Sequence, residues 1–138
     1  MKSSPIAVME RLLQAQNAHD LEAFLACFAP DYQSEQPVHP DRAFQGVQQV
    51  RKNWSALFQE ITDFQSELLR SAVEGNTIWT EWRWSGTRRD GTRFEMRGVT
   101  LFGIQADQIK WGHLYMELTQ EAAVGIDTAV RRMTQGST

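Results

Sequence analysis

Apolar and polar positions alternate with period two along three successive runs between Trp79 and Glu117: TIWTEWRWSGTRRDG, TRFEMRGVTLFGI and QIKWGHLYMEL. Alternation at this period places one set of side chains on each face of a strand. The pattern breaks at Asp90-Gly91 and again near Ala106-Asp107, where turns are predicted. Three adjacent strands of this length, with aromatics at nearly every second position, predict a strongly curved sheet whose floor is wide enough to hold a ligand.

The rest of the chain reads as cover for that floor. Ser4-Pro5 opens a first helix, serine as N-cap and proline where its missing N–H costs nothing, and Val8, Met9, Leu12 and Leu13 form its apolar stripe. Asp20 caps a second, in which Leu21, Phe24, Leu25 and Phe28 keep helical spacing until Pro30-Asp31. Tyr32 to Val38 alternates as a short strand, and HPDRAFQG follows as a loop. Val47, Val50, Trp54, Leu57, Phe58 and Ile61 define a third helix from about Gly46 to Glu60. A strand from Phe64 to Val73 turns at Gly75-Asn76 into the three long ones. Beyond Thr119, Ile126, Val130 and Met133 fit a short amphipathic helix, and QGST reads as a frayed end. This order gives a single α+β domain over 1–119, helices packed on one face of a curved antiparallel sheet, with 120–138 as a C-terminal extension.

Composition narrows the class. The chain's 138 residues suit one core, its one cysteine, Cys27, lies among apolar neighbours as a buried thiol, and no run approaches the roughly eighteen apolar residues of a membrane span. A soluble, cytoplasmic protein with no membrane partner is expected. The net charge of −3 argues against nucleic-acid binding, because Arg83, Arg88, Arg89, Arg93 and Arg97 are interleaved with Glu81, Asp90 and Glu95 at cross-strand spacing. Three widely spaced histidines and one cysteine match no metal-ligand pattern, and the glycines form no nucleotide-binding motif, so no metal and no cofactor are expected.

NAHDLEAFLACFAPDY, the proline-containing strand, FQGVQQVRKNW, RGVTLFGI and GHLYMEL together resemble the nuclear transport factor 2-like superfamily, close to its SnoaL-like polyketide-cyclase branch, over about Pro5 to Leu118. The resemblance implies a cone (a cystatin-like, nuclear transport factor 2-like roll) whose concave side is closed by the three helices, and often a homodimer. It also locates the places where relatives carry catalytic groups. The proton-abstracting Asp of ketosteroid isomerases falls at Gln36, their helix Tyr at Leu12, and the protonated Asp of their oxyanion hole at Thr100; the water-activating Asp of limonene-epoxide-hydrolase-like members falls at Leu114. An amide does not abstract protons at neutral pH and leucine does no acid–base chemistry, so neither mechanism transfers.

These correspondences set strand parity. Tyr32, Ser34 and Gln36, Met96, Gly98, Thr100 and Phe102, and Gly112, Leu114 and Met116 point inward, and Trp82 and Trp84 share that face. Glu81, Arg83, Glu95 and Arg97 line the convex side, as do Trp111, His113, Tyr115 and Glu117, where aromatics beside charges fit a homodimer interface and His113 is expected to pair with Glu117. The expected ligand wall is Gln36, Trp54, Trp82, Trp84, Met96, Thr100, Phe102, Leu114 and Met116, suited to an apolar or cyclic small molecule. His39, past the first strand at the cone's mouth, Glu35, one residue from the first catalytic place, and Tyr32 are the candidate acids or bases. His19 serves the helix junction. Two functions follow: a pocket protein, as an enzyme a cofactor-free isomerase or cyclase, or a non-catalytic association domain whose interior is filled by its own side chains.

Overall fold

The computed structural model describes residues 4–120 and 124–135. Helix α1 (Pro5–Ala18) starts where Ser4 Oγ accepts from the Ala7 N–H, and stops where His19 turns left-handed at φ 54° and returns its N–H to the Gln16 carbonyl. Asp20 caps α2 (Leu21–Ala26) by accepting from the Ala23 N–H. The His19 ring stays inside the fold, with Nε2 2.8 Å from the Phe64 carbonyl and the ring stacked on Phe58.

Strand β1 (Phe28–Glu35) begins earlier than the alternation suggests, so Phe28 belongs to the strand rather than to the second helix. Pro30 biases the residue before it to extended backbone and cannot donate a helical hydrogen bond, and the bridge from Phe28 to Ile109 takes up the chain instead. Phe28 is buried in either conformation, which is why helical spacing could not discriminate. A 3₁₀ turn (Pro40–Arg42) and a two-residue strand β2 (Phe44–Gln45), neither visible in the periodicity, precede α3 (Val47–Glu60).

Then come β3 (Gln65–Glu74), β4 (Thr77–Thr87), β5 (Arg93–Gln105) and β6 (Gln108–Leu118). The sheet runs β2-β1-β6-β5-β4-β3, curled but unclosed. All pairs are antiparallel except β1 with β6, which run parallel, a feature the expected antiparallel sheet lacked. Helix α4 (Ile126–Thr134) follows, with Ile126 and Met133 largely exposed. Residues 136–138 of the expected frayed end lie outside the described residues.

Register fixes what the two faces carry. On β4, Ile78, Thr80, Trp82 and Trp84 are buried while Trp79, Glu81, Arg83 and Ser85 are exposed or half-buried. Trp82 lies opposite Gly98, Thr80 opposite Thr100 and Ile78 opposite Phe102, and across β5 these continue to Met116, Leu114 and Gly112. The inner face is therefore the expected one. On the outer face Arg70 pairs with Glu81, Arg83 with Glu67 and Arg93 with Glu95, exposed ion pairs that fix charge pattern more than stability. Among the described residues no helix is long and apolar enough to cross a membrane.

Candidate functional site

Between the concave face and the helices lies a cavity of about 80 Å³. Helix α1 contributes Leu12 and Gln16, α2 Phe24, and α3 Val50, Asn53 and Trp54; the sheet contributes Phe28, Tyr32, Ser34, Phe44, Trp82, Trp84, Thr100, Phe102 and Leu114, with Gln36 just past β1. Half of the lining residues are aromatic. Trp54 packs against Phe24 and Trp84, at ring-centroid distances of 4.5 and 5.2 Å. Small-molecule sites usually enclose roughly 300–1,000 Å³, so a ligand of several rings enters this one only if side chains give way. Gln36, Phe44, Asn53, Trp54 and Leu114 are the lining residues that are not buried, and the cavity would widen by their movement.

No lining residue among the described residues is Asp, Glu, His, Lys, Arg or Cys. The titratable group present is Tyr32, whose phenol burial pushes up to about 12, with a hydrogen bond to Ser34 pulling weakly the other way. At neutral pH it is a hydrogen-bond donor and not a base. Space for it comes from Gly112, opposite Ser34 and Phe102: a Cβ there would sit 2.5 Å from Tyr32 Oη and 2.7 Å from the Phe102 ring. Gly112→Ala must push both rings into packed surroundings and is expected to lower stability by about 1–3 kcal/mol, which denaturant titration measures directly.

Thr100, buried, accepts from Trp82 Nε1 at 2.9 Å, and Gln36 Oε1 accepts from Arg42 at 3.0 Å. Seven of the nine expected wall residues line the cavity: Gln36, Trp54, Trp82, Trp84, Thr100, Phe102 and Leu114. Met96 and Met116 face the same side but pack in the core outside the lining.

Of the three acid–base candidates, the structure brings only Tyr32 to the cavity. His39 Nε2 lies 2.5 Å from Glu117 Oε1 and Glu35 lies 3.3 Å from His113 Nε2, both pairs away from the lining. Glu35 alternates with the inward Ser34 and so points outward. The expected pairing of His113 with Glu117 is replaced by these two crossed pairs, because the parallel register sets Glu35 opposite His113. His113 also meets Trp111, at a ring-centroid distance of 5.1 Å. Gln16 and Asn53, both missed in the sequence, are added polar residues of the lining, and Gln16 is the buried one. Its signal was its position, four residues after Leu12 and seven after Met9, on the stripe that faces the core.

Residues 9–111 match the family model of the SnoaL-like domain. No curated protein matches the sequence. Among solved structures, IdmH from Streptomyces antibioticus, proposed as a polyketide cyclase, superposes with a TM-score of 0.72 at 17% identity, covering 83% of this chain and 93% of that one. A Mycobacterium tuberculosis protein solved with estradiol-17β-hemisuccinate gives 0.70 at 18% identity over 82% and 94%. An LEH-like epoxide hydrolase from the same organism gives 0.70 at 16% identity over 82% of each chain. At these identities the likeness concerns the fold, which is that of the nuclear transport factor 2 and ketosteroid isomerase-like proteins.

Proposed function

We propose that this chain, which belongs to the SnoaL-like domain family, binds an apolar or cyclic small molecule in the cavity between its helices and its concave sheet. The observation that carries the reading is the lining itself: aromatic walls set with the uncharged polar groups of Gln16, Tyr32, Ser34, Gln36, Asn53 and Thr100. Such a surface gains from burying apolar area and orients a ligand through a few hydrogen bonds. Structural neighbours include proteins named for polyketide cyclisation and epoxide hydrolysis, which supports a cavity that holds organic ligands.

Chemistry in such a site would run on positioning and polarisation. With no carboxylate or imidazole in the lining, Tyr32 donates to a ligand oxygen and stabilises charge developing there, while any carbon-bound proton must leave to a base carried by the substrate or by water. Isomerisation or aldol-type cyclisation of a substrate that reacts once folded up and polarised is the reaction class consistent with that inventory.

The test is thermal stability against a panel of steroids, polyketide-like aromatics and short lipids. A true ligand at a hundredfold excess over its Kd stabilises by about 2.7 kcal/mol through mass action. A panel without a single stabilising compound would rule the reading out in favour of a self-filled interior.

A second reading concerns the convex face, where Trp79 and Tyr115 are 36% and 39% exposed beside half-buried Val99, Leu101, Trp111 and His113. Intermixed Arg97, Arg83, Glu81 and Glu117 make this face suited to a second copy of itself. Tyr115→Ala is expected to shift a dimer toward monomer in sedimentation experiments without altering ligand binding; a wild-type protein that sediments as a monomer would remove the association reading.

A further inference from the structure

The sheet ends on β3, and the start of that edge is sealed from within the chain. At Ser66 the side chain of Asn17 takes the place of a neighbouring strand: the Ser66 N–H donates to Asn17 Oδ1 at 2.7 Å, and Asn17 Nδ2 donates to the Ser66 carbonyl at 3.0 Å. Farther along nothing comparable covers it, and every residue from Leu69 to Asn76 is exposed. Those two bonds also fix which backbone groups face outward there. Both polar groups of Ser66 point away from β4, so its partner Trp84 belongs to a pair without mutual hydrogen bonds, and by alternation so do Trp82, Thr80 and Ile78. The bulge between Leu68 and Arg70 makes Ser71 and Val73 the partners of Thr80 and Ile78. The N–H and C=O groups of Ser71 and Val73 therefore point out of the sheet, while Arg70, Ala72 and Glu74 bond inward to β4.

An open edge is a template for another strand, and charged side chains are a common protection against one. Here the charges suit a partner of the same sequence. Arg70 and Glu74 lie two residues to either side of Ala72 and share its face of the strand. An antiparallel copy of β3 centred on Ala72 sets Arg70 of each chain opposite Glu74 of the other, and it sets the outward groups of Ser71 against those of Val73. Centring the pair on Ser71 or on Val73 puts Arg70 opposite Ala72 or Asn76 instead, and both ion pairs are lost. Ala72 itself lies opposite Trp79, which is 36% exposed and lines a shallow outer-face groove with Arg70, Glu81 and Val99. Pairing brings the Trp79 of each copy to one flank of the seam.

We infer that the β3 edge from Arg70 to Glu74 is an interface for a second copy of this chain, joined antiparallel about a two-fold axis at Ala72 so that the two sheets become continuous. It is a different surface from the convex face considered above. So short an edge makes a small contact, and it therefore assembles toward millimolar protein rather than at dilution. Where the convex face is also paired, it links one pair of chains to the next.

Cysteine cross-linking of the full chain, carried out in a Tyr115→Ala background, tests this edge apart from the convex face; the native Cys27 is buried. Across the axis the Ala72 positions of the two copies form a pair without mutual hydrogen bonds, whose Cα atoms lie about 4.5 Å apart, within disulfide reach. Ala72→Cys is expected to oxidise to a linked dimer about tenfold faster than Ser71→Cys, which is also exposed but stands two positions out of line with its own counterpart. Val73→Pro removes an N–H that the chain's own sheet does not use and should erase that advantage. Glu74→Arg, which sets like charges opposite each other, should reduce it by about threefold or more. Equal rates for Ala72→Cys and Ser71→Cys would overturn the proposal. An Ala72→Cys rate left unchanged by a folded Val73→Pro variant, or by Glu74→Arg, would overturn it as well.

Discussion

Trp82→Ala is expected to lower unfolding stability by about 3–5 kcal/mol, the range for truncating a large buried aromatic. Trp82 has no exposed surface, shares the inner face with Trp84, and hydrogen-bonds Thr100 on the neighbouring strand. Since whole domains are stable by only about 5–15 kcal/mol, this one change takes a large share of the margin. Trp82→Phe keeps most of the apolar volume but strips Thr100 of its donor, so its cost should be smaller, about 1–2 kcal/mol. Denaturant titration of both variants gives the comparison. An alanine variant within about 1 kcal/mol of wild type would mean the indole is not packed as described.

Tyr32 gives the second large effect, and its sign is fixed by the direction of its shift. The phenol titrates near 10 in the unfolded chain and is pushed up to about 12 in the fold by burial. The folded state therefore holds a proton that the unfolded state has lost, and stability falls as pH rises through that window. Its contribution is whole below pH 10 and gone above about 12, a loss on the order of 3 kcal/mol. Other groups titrate there too, so the informative quantity is the difference between wild type and Tyr32→Phe. That difference should change steeply between pH 10 and 12. A flat one would place the phenol in water, with no pocket role.

Much of the inner face was legible because alternation is a geometric rule. Once Gln36, Thr100 and Leu114 were set inward, parity placed Phe102 on the same side and apolar partners placed Trp82 and Trp84 there, and the register aligns them across β4, β5 and β6. Helix α3 was legible from its apolar spacing and Gly46, whose φ of 101° suits the turn into it. What lies between elements was not. The crossed pairs His39 with Glu117 and Glu35 with His113 depend on β1 running parallel to β6, a pairing between segments about eighty residues apart that no local pattern encodes.

Gln16 was missed for a different reason. A stripe is recognised by its apolar members, so a polar residue in phase with Val8, Met9 and Leu12 reads as the end of the stripe rather than as a polar group carried into the core. Conflict between a residue's polarity and its position is a functional signal, and in α1 that conflict points into the cavity.

The positions of the five tryptophans allow the most direct test of where a ligand sits. Trp54, Trp82 and Trp84 line the cavity, whereas Trp79 and Trp111 lie on the outer face of the sheet. Nitrogen-15 spectra of the indole N–H groups, assigned by single Trp→Phe changes, should be recorded during titration with a compound that raises thermal stability. Binding in the cavity predicts that the Trp54, Trp82 and Trp84 resonances move together while those of Trp79 and Trp111 stay in place. Movement confined to Trp79 and Trp111 would put the ligand on the convex face and contradict the account.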